Sequence, residues 1–269
     1  MARSSKRFAH TLAKLVLLGM AFSLPLTTMA APPAATKPTV VLVHGAFADA
    51  SSWNGVIERL QAKGYHVVAA PNELRSVKGD AAEVATLVKS IPGPVVLVGH
   101  SYGGSVISTA ADGLSNVKAL VYVSAFAPDV GESSAQLAGK FPGSTLGPAL
   151  APPVALAQGG NDLYIQQDKF RAQFAADVPV PQARLMAVGQ RPITDAALNE
   201  ASTVAAWKTI PAWFIYGSAD LNIPPASLAF MAKRAQAKAS EEIKGASHVV
   251  MVSHPDAVAQ LIEKAAGAN

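Results

Sequence analysis

The stretch Val95-Val96-Leu97-Val98-Gly99-His100-Ser101-Tyr102-Gly103-Gly104-Ser105-Val106 decides the fold. Its four consecutive apolar residues, Val95 to Val98, have the pattern of a strand buried on both faces, as in the centre of a parallel sheet. Gly99-His100-Ser101-Tyr102-Gly103 follows with the G-x-S-x-G spacing of a sharp strand-to-helix turn that holds one serine in strained backbone geometry. A side chain at Gly99 or Gly103 would collide with a neighbouring strand or helix, and only a tight turn lifts the Ser101 hydroxyl clear of the sheet. The turn also sets Ser101 at a helix N-terminus, where free amides and the helix dipole favour negative charge. That environment suits an oxyanion.

On either side of this stretch the chain alternates strand-like apolar runs with segments of helical period, the signature of parallel βαβ units. Strands are expected at Thr39–Val43, His66–Ala69, Val95–Val98, Ala119–Val123, Ala212–Tyr216 and Glu241–Ile243. Trp53, Val56, Ile57 and Leu60 recur at i, i+3, i+4, i+7, as do Val84, Leu87, Val88 and Ile91, and again Val258, Leu261, Ile262 and Ala265. From Ala127 to Trp207 the rhythm breaks. No strong strand is read there, proline and glycine cluster, and helices are expected near Tyr164–Ala175 and Asp195–Ala205. An insertion of that length is too long for an idle loop and is expected to be a helical cap, 127–207, over the strand ends where parallel sheets bind ligands. The core is then 39–126 with 208–269, about six mainly parallel strands flanked by helices.

The remaining catalytic parts appear in a workable order. His44-Gly45-Ala46-Phe47 ends the first strand, and the glycine lets the backbone turn so that the Ala46 amide can face the same point as the Tyr102 amide. Two such donors make an oxyanion hole. The base must be a histidine. His66 lies in a strand pattern, His100 inside the turn points away from the serine, and His254 precedes Pro255 at the start of the last helix. His248, on the loop after the last strand, can reach back over the sheet edge. The acid should fall between nucleophile and base. Asp220, just past the apolar run ending at Tyr216, meets that demand, with Asp129 as the reserve. Substrate contacts are expected from Phe47, Phe126, Tyr164 and Phe170.

The amino end reads as an export signal. Arg3, Lys6, Arg7 and Lys14 form a basic head, Leu15 to Leu26 an apolar run, and Thr28-Met29-Ala30 a small-residue cleavage site, so that 1–30 is removed after Ala30 and 31–38 is a flexible lead. The apolar run is too short for a bilayer span of roughly twenty residues, so no stable membrane anchor remains after cleavage. Taking those four cations from 22 Lys+Arg leaves 18 against 18 Asp+Glu. The basicity is therefore a targeting feature and gives no support to nucleic-acid binding. With no cysteine, neither a disulfide framework nor a lipid-modified cysteine is available. A periplasmic or secreted location is expected.

Ser101, Asp220 and His248, with His44-Gly45-Ala46, resemble the α/β-hydrolase superfamily over nearly all of Thr39 to Ala266. Within it the chain is similar to bacterial relatives of the plant methylesterase and hydroxynitrile lyase branch, through His44-Gly45-Ala46 with Trp53 downstream, Gly99 to Gly104, the cap and Ser247-His248. In the lyases of that branch a threonine replaces the glycine of the His-Gly pair and a lysine follows the catalytic histidine; this chain has Gly45 and Val249. The resemblance thus implies a carboxylic ester hydrolase acting on small to medium apolar esters through an acyl-enzyme, with no metal or organic cofactor. Other acyl chemistry on the same three residues (thioester, lactone or amide cleavage, or perhydrolysis) and a ligand-binding protein with little turnover are the alternatives.

Overall fold

The apolar run Val95–Val98 forms the middle of a six-stranded sheet in the computed structural model, which describes residues 1–2 and 37–268. The stretch 3–36, holding most of the expected export segment and lead, lies outside the described residues. In chain order the elements begin with β1 (Thr39–Val43), α1 (Asn54–Ala62), β2 (Val67–Ala70), α2 (Val77–Ser90), β3 (Val95–His100), α3 (Gly103–Ala110) and β4 (Val117–Val123). There follow α4 (Ser134–Ala138), α5 (Leu146–Ala149), β5 (Val154–Ala155), β6 (Asn161–Leu163), α6 (Gln167–Phe174), α7 (Val180–Gly189), β7 (Ile193–Thr194) and α8 (Asp195–Asn199). The chain closes with β8 (Ala212–Gly217), α9 (Pro225–Arg234), β9 (Ala239–Ile243), α10 (Val250–Ser253) and α11 (Pro255–Ala266).

The main sheet has the order β2-β1-β3-β4-β8-β9, and every pairing is parallel. Burial explains the order. The side chains of β1, β3 and β8 are buried throughout, whereas β2 is half-buried and β9 alternates half-buried residues with exposed Ser240 and Glu242. Continuous apolar strands occupy the centre because each buried valine or leucine side chain contributes roughly 1.5–3 kcal/mol. The two less apolar strands take the edges, where charge also discourages further strand pairing. Helix α3 packs on β1, β3 and β4 and beside α2, while α11 lies against β3, β4 and β8 and beside α1. The chain runs from β1 outward to β2, then returns to the other side of β1 for β3. That reversal opens a crevice beyond the carboxyl ends of β1 and β3, where open parallel sheets bind ligands.

The segment between β4 and β8 differs from the all-helical expectation. It contains a small antiparallel sheet, β5-β6-β7, made of strands two or three residues long. Strands that short carry no alternation to read, and tertiary contacts hold them: Arg75 pairs with Asp162, and Thr194 Oγ1 donates to the Arg75 carbonyl at 2.9 Å. Helix α7 lies between the two expected helices and adds to them; its Pro181 falls in the first turn, where a proline costs no helical hydrogen bond. The helix expected over Asp195–Ala205 stops at Asn199. Glu200 turns away to cap α2, its carboxylate accepting from the amides of Val77 (2.6 Å) and Lys78 (3.2 Å). Among the described residues no helix is long and apolar enough to cross a membrane.

Candidate active site

Ser101 stands between β3 and α3 with φ 54°, the left-handed conformation that a tight strand-to-helix turn imposes. The turn is enforced by contact: a Cβ on Gly99 would lie 2.5 Å from the Gly103 carbonyl oxygen, and one on Gly103 would lie 2.5 Å from that of Val43. Two backbone bonds tie the turn to the end of β4, from Ser101 N–H to Val123 O (3.3 Å) and from Phe126 N–H to Ser101 O (3.1 Å). A non-glycine residue persists in such a conformation only where its surroundings over-determine it.

Asp220 and His248 come from the loops after β8 and β9, and both side chains are buried. Asp220 Oδ1 accepts from the amides of Asn222 (2.8 Å) and Ile223 (3.0 Å), leaving Oδ2 for His248 Nδ1 at 2.6 Å. An ionised carboxylate only accepts, so the imidazole proton sits on Nδ1 and the Nε2 lone pair is free. The rings of His100 and Phe174 pack on His248 with centroids at 4.8 and 5.1 Å. Ser101 and His248 line one cavity of about 360 Å³. Among the described residues no hydrogen bond joins the Ser101 hydroxyl to His248.

Ala46 and Tyr102 line the same cavity, and among the described residues neither N–H has an acceptor. Gly45 explains how the two loops come together. A Cβ there would stand 2.6 Å from both the His100 carbonyl oxygen and Ser101 Cβ, so the β1 loop seats directly on the turn. Beneath it, the buried Tyr102 hydroxyl donates to Asp80 Oδ2 at 2.9 Å. Burial raises the Asp80 carboxyl and the Tyr102 phenol above their ordinary pKa values, while the bond between them opposes the rise at Asp80.

His100 is the residue whose placement sequence reasoning missed. It packs behind His248, its Nε2–H donating to the His248 carbonyl at 3.3 Å, with Nδ1 buried and unpartnered. Burial, then the neighbouring His248, holds its pKa well below that of an ordinary histidine, and burial also lowers His44. No sequence pattern distinguishes such a histidine from a solvent-facing one. His66 is exposed next to the edge strand β2, and His254 occupies the residue before α11 without a side-chain capping bond to it. Asp129, the reserve acid, pairs with Lys208, whose hydrogen bond lowers its pKa.

Of the four expected substrate contacts, Phe47 and Phe126 line the cavity. Tyr164 and Phe170 lie outside its lining. Phe170 is fully buried one helical turn before Phe174, its ring centroid 5.0 Å from that of Phe174, and it is Phe174 that faces the cavity. The i+4 spacing of the two phenylalanines puts them on one face of α6, a signal from which the second ring could have been read. Leu146, Leu150, Leu198 and Ile223 complete an apolar wall.

Residues 40–261 match the family model described as the alpha/beta hydrolase family. The chain is 29% identical to an alpha/beta hydrolase, nvfD, of Aspergillus novofumigatus, over 86% of this chain and 97% of that one. It is 27% identical to a pyrethroid hydrolase of Sphingobium wenxiniae, over 84% of this chain and 87% of that one. Methylesterases and an alpha-hydroxynitrile lyase of Arabidopsis thaliana are also among its relatives. In fold it resembles the crystal structure of polyneuridine aldehyde esterase, with a TM-score of 0.73 at 20% identity, over 85% of this chain and 99% of that one. With the sheet order, the serine turn and the family match in agreement, the chain belongs to the alpha/beta hydrolase family.

Proposed function

We propose that this protein is an exported serine esterase that cleaves small to medium apolar carboxylic esters through an acyl-enzyme. One observation carries the reading. A strained serine, a buried Asp220–His248 pair and two amides with no acceptor among the described residues come from four separate loops and converge on one largely apolar cavity. Hydrolases and esterases among the relatives support it.

Ser101 Oγ attacks the ester carbonyl carbon while His248 Nε2 takes its proton. Catalytic hydrogen bonds of unliganded sites are often long and tighten in the Michaelis complex. The amides of Ala46 and Tyr102 hold the developing oxyanion, each worth about 3–4 kcal/mol of transition-state stabilisation. His248 returns the proton to the departing alcohol, and water then attacks the acyl-enzyme with His248 as base. Asp220 holds the imidazole tautomer and stabilises its cation throughout.

A fluorophosphonate probe tests the reading directly. Covalent labelling at Ser101, lost in Ser101→Ala, is expected together with hydrolysis of p-nitrophenyl acetate. An unlabelled, inactive wild type contradicts it.

A further inference from the structure

Phe47 follows the oxyanion residue Ala46 and lines two cavities. On one side is the cavity of Ser101. On the other is a space of about 220 Å³ bounded by Ser52, Gln182, Leu185, Met186 and Val252, beneath helix α7. The residue therefore stands as a partition between them.

The partition is held in place. Phe47 has φ 59°, a left-handed conformation rare for a bulky residue. Its N–H donates to the Arg191 carbonyl at 2.9 Å, which fixes the strained backbone to the end of α7. Its ring meets Phe174 edge-on, centroids 6.1 Å apart, and Phe174 in turn packs on His248. A substrate arm too long for the first cavity would have to displace this ring against both attachments.

We infer that Phe47 is the specificity-determining residue that limits substrate length, so that the enzyme selects compact apolar esters whose arm ends at its ring. The inference rests on the esterase reading. It also states where a longer arm would go once the ring is removed: past Leu185 and Met186, toward the polar groups of Asp49, Ser52 and Gln182.

The test measures kcat/KM for p-nitrophenyl esters of straight-chain acids and for acetates of straight-chain alcohols. Phe47→Ala is expected to raise the longest members relative to the shortest by about tenfold or more in at least one series, the scale on which a pocket discriminates methylenes. Adding Met186→Trp to that variant refills the second space from its far wall and should reverse the gain. Phe47→Leu, which keeps most of the side-chain volume, should shift the same profile less and keeps the test open if the alanine variant does not fold. An unchanged length profile in both series, in a protein whose wild type accepts a fluorophosphonate, overturns the partition alone. A gain that survives Met186→Trp overturns the assigned path. A wild type that takes no label and cleaves neither series overturns the esterase reading and the partition with it.

Discussion

His248 Nδ1 lies 2.6 Å from Asp220 Oδ2, with both side chains at 1% exposure or less. The other carboxylate oxygen is already occupied by the amides of Asn222 and Ile223, so the acid cannot turn away from the imidazole. This pair fixes which ring nitrogen is free to act as base. Asp220→Asn should keep the accepting oxygen toward the two amides while presenting an NH₂ to Nδ1, forcing the proton onto Nε2. Turnover of p-nitrophenyl acetate is expected to fall by about four orders of magnitude with the fold retained. Activity within tenfold of wild type, with an unchanged circular dichroism spectrum, contradicts the assignment.

Ser101 carries backbone strain as well as the nucleophile. Glycine relieves a left-handed conformation worth about 1–2 kcal/mol but adds about 0.5–1 kcal/mol of chain entropy. Ser101→Gly and Ser101→Ala should both be inactive, with the glycine variant the more stable by up to about 1.5 kcal/mol in chemical denaturation. An alanine variant that is the more stable of the two removes the argument for strain at φ 54°.

Gly45 makes the junction between the β1 loop and the serine turn. A methyl group there meets the His100 carbonyl and Ser101 Cβ at 2.6 Å, both atoms of a turn with no room to retreat. Gly45→Ala should destabilise by about 1–3 kcal/mol, as overpacking does. It should also displace the Ala46 amide, lowering kcat by about 10²-fold or more, the effect of losing one oxyanion donor. Denaturant melts and kcat on one short ester measure both.

Burial depresses the folded-state pKa of His44 and His100 below the ordinary value of 6.5. Each is neutral when folded but takes a proton in the unfolded chain once the pH drops below about 6.5. Their contribution to stability is complete above that pH and is lost progressively as pH falls toward their folded values. Asp80, raised by burial, acts in the opposite sense in the acid range. Melting temperature should therefore fall between pH 7 and pH 5, and His100→Phe should flatten that slope. An equal slope in the variant means that His100 is charged in the native state.

Export is checked by the mature amino terminus. Expressed in a bacterium with its full sequence, the protein is expected outside the cytoplasm beginning at Ala31, by N-terminal sequencing. Retention in the cytoplasm with Arg3 to Lys14 intact contradicts the signal reading.

Local chemistry determined what the sequence alone made legible. Uninterrupted runs such as Val95–Val98 can only be stable with both faces covered, so they become central parallel strands, and Gly99 and Gly103 around Ser101 permit one kind of turn. The candidate acid and base followed from chain order and from loop positions after apolar strands. Tertiary structure decided the rest, because those properties depend on which surfaces meet. Strands as short as β5 and β7 exist through partners such as Asp162 and Thr194, distant in sequence from Arg75. Phe174 rather than Phe170 faces the cavity because the later turn of α6 is the one that reaches His248 and Phe47. The packing of His100 behind His248 and the position of Phe47 between two cavities arise only when loops separated by many residues are closed against one another.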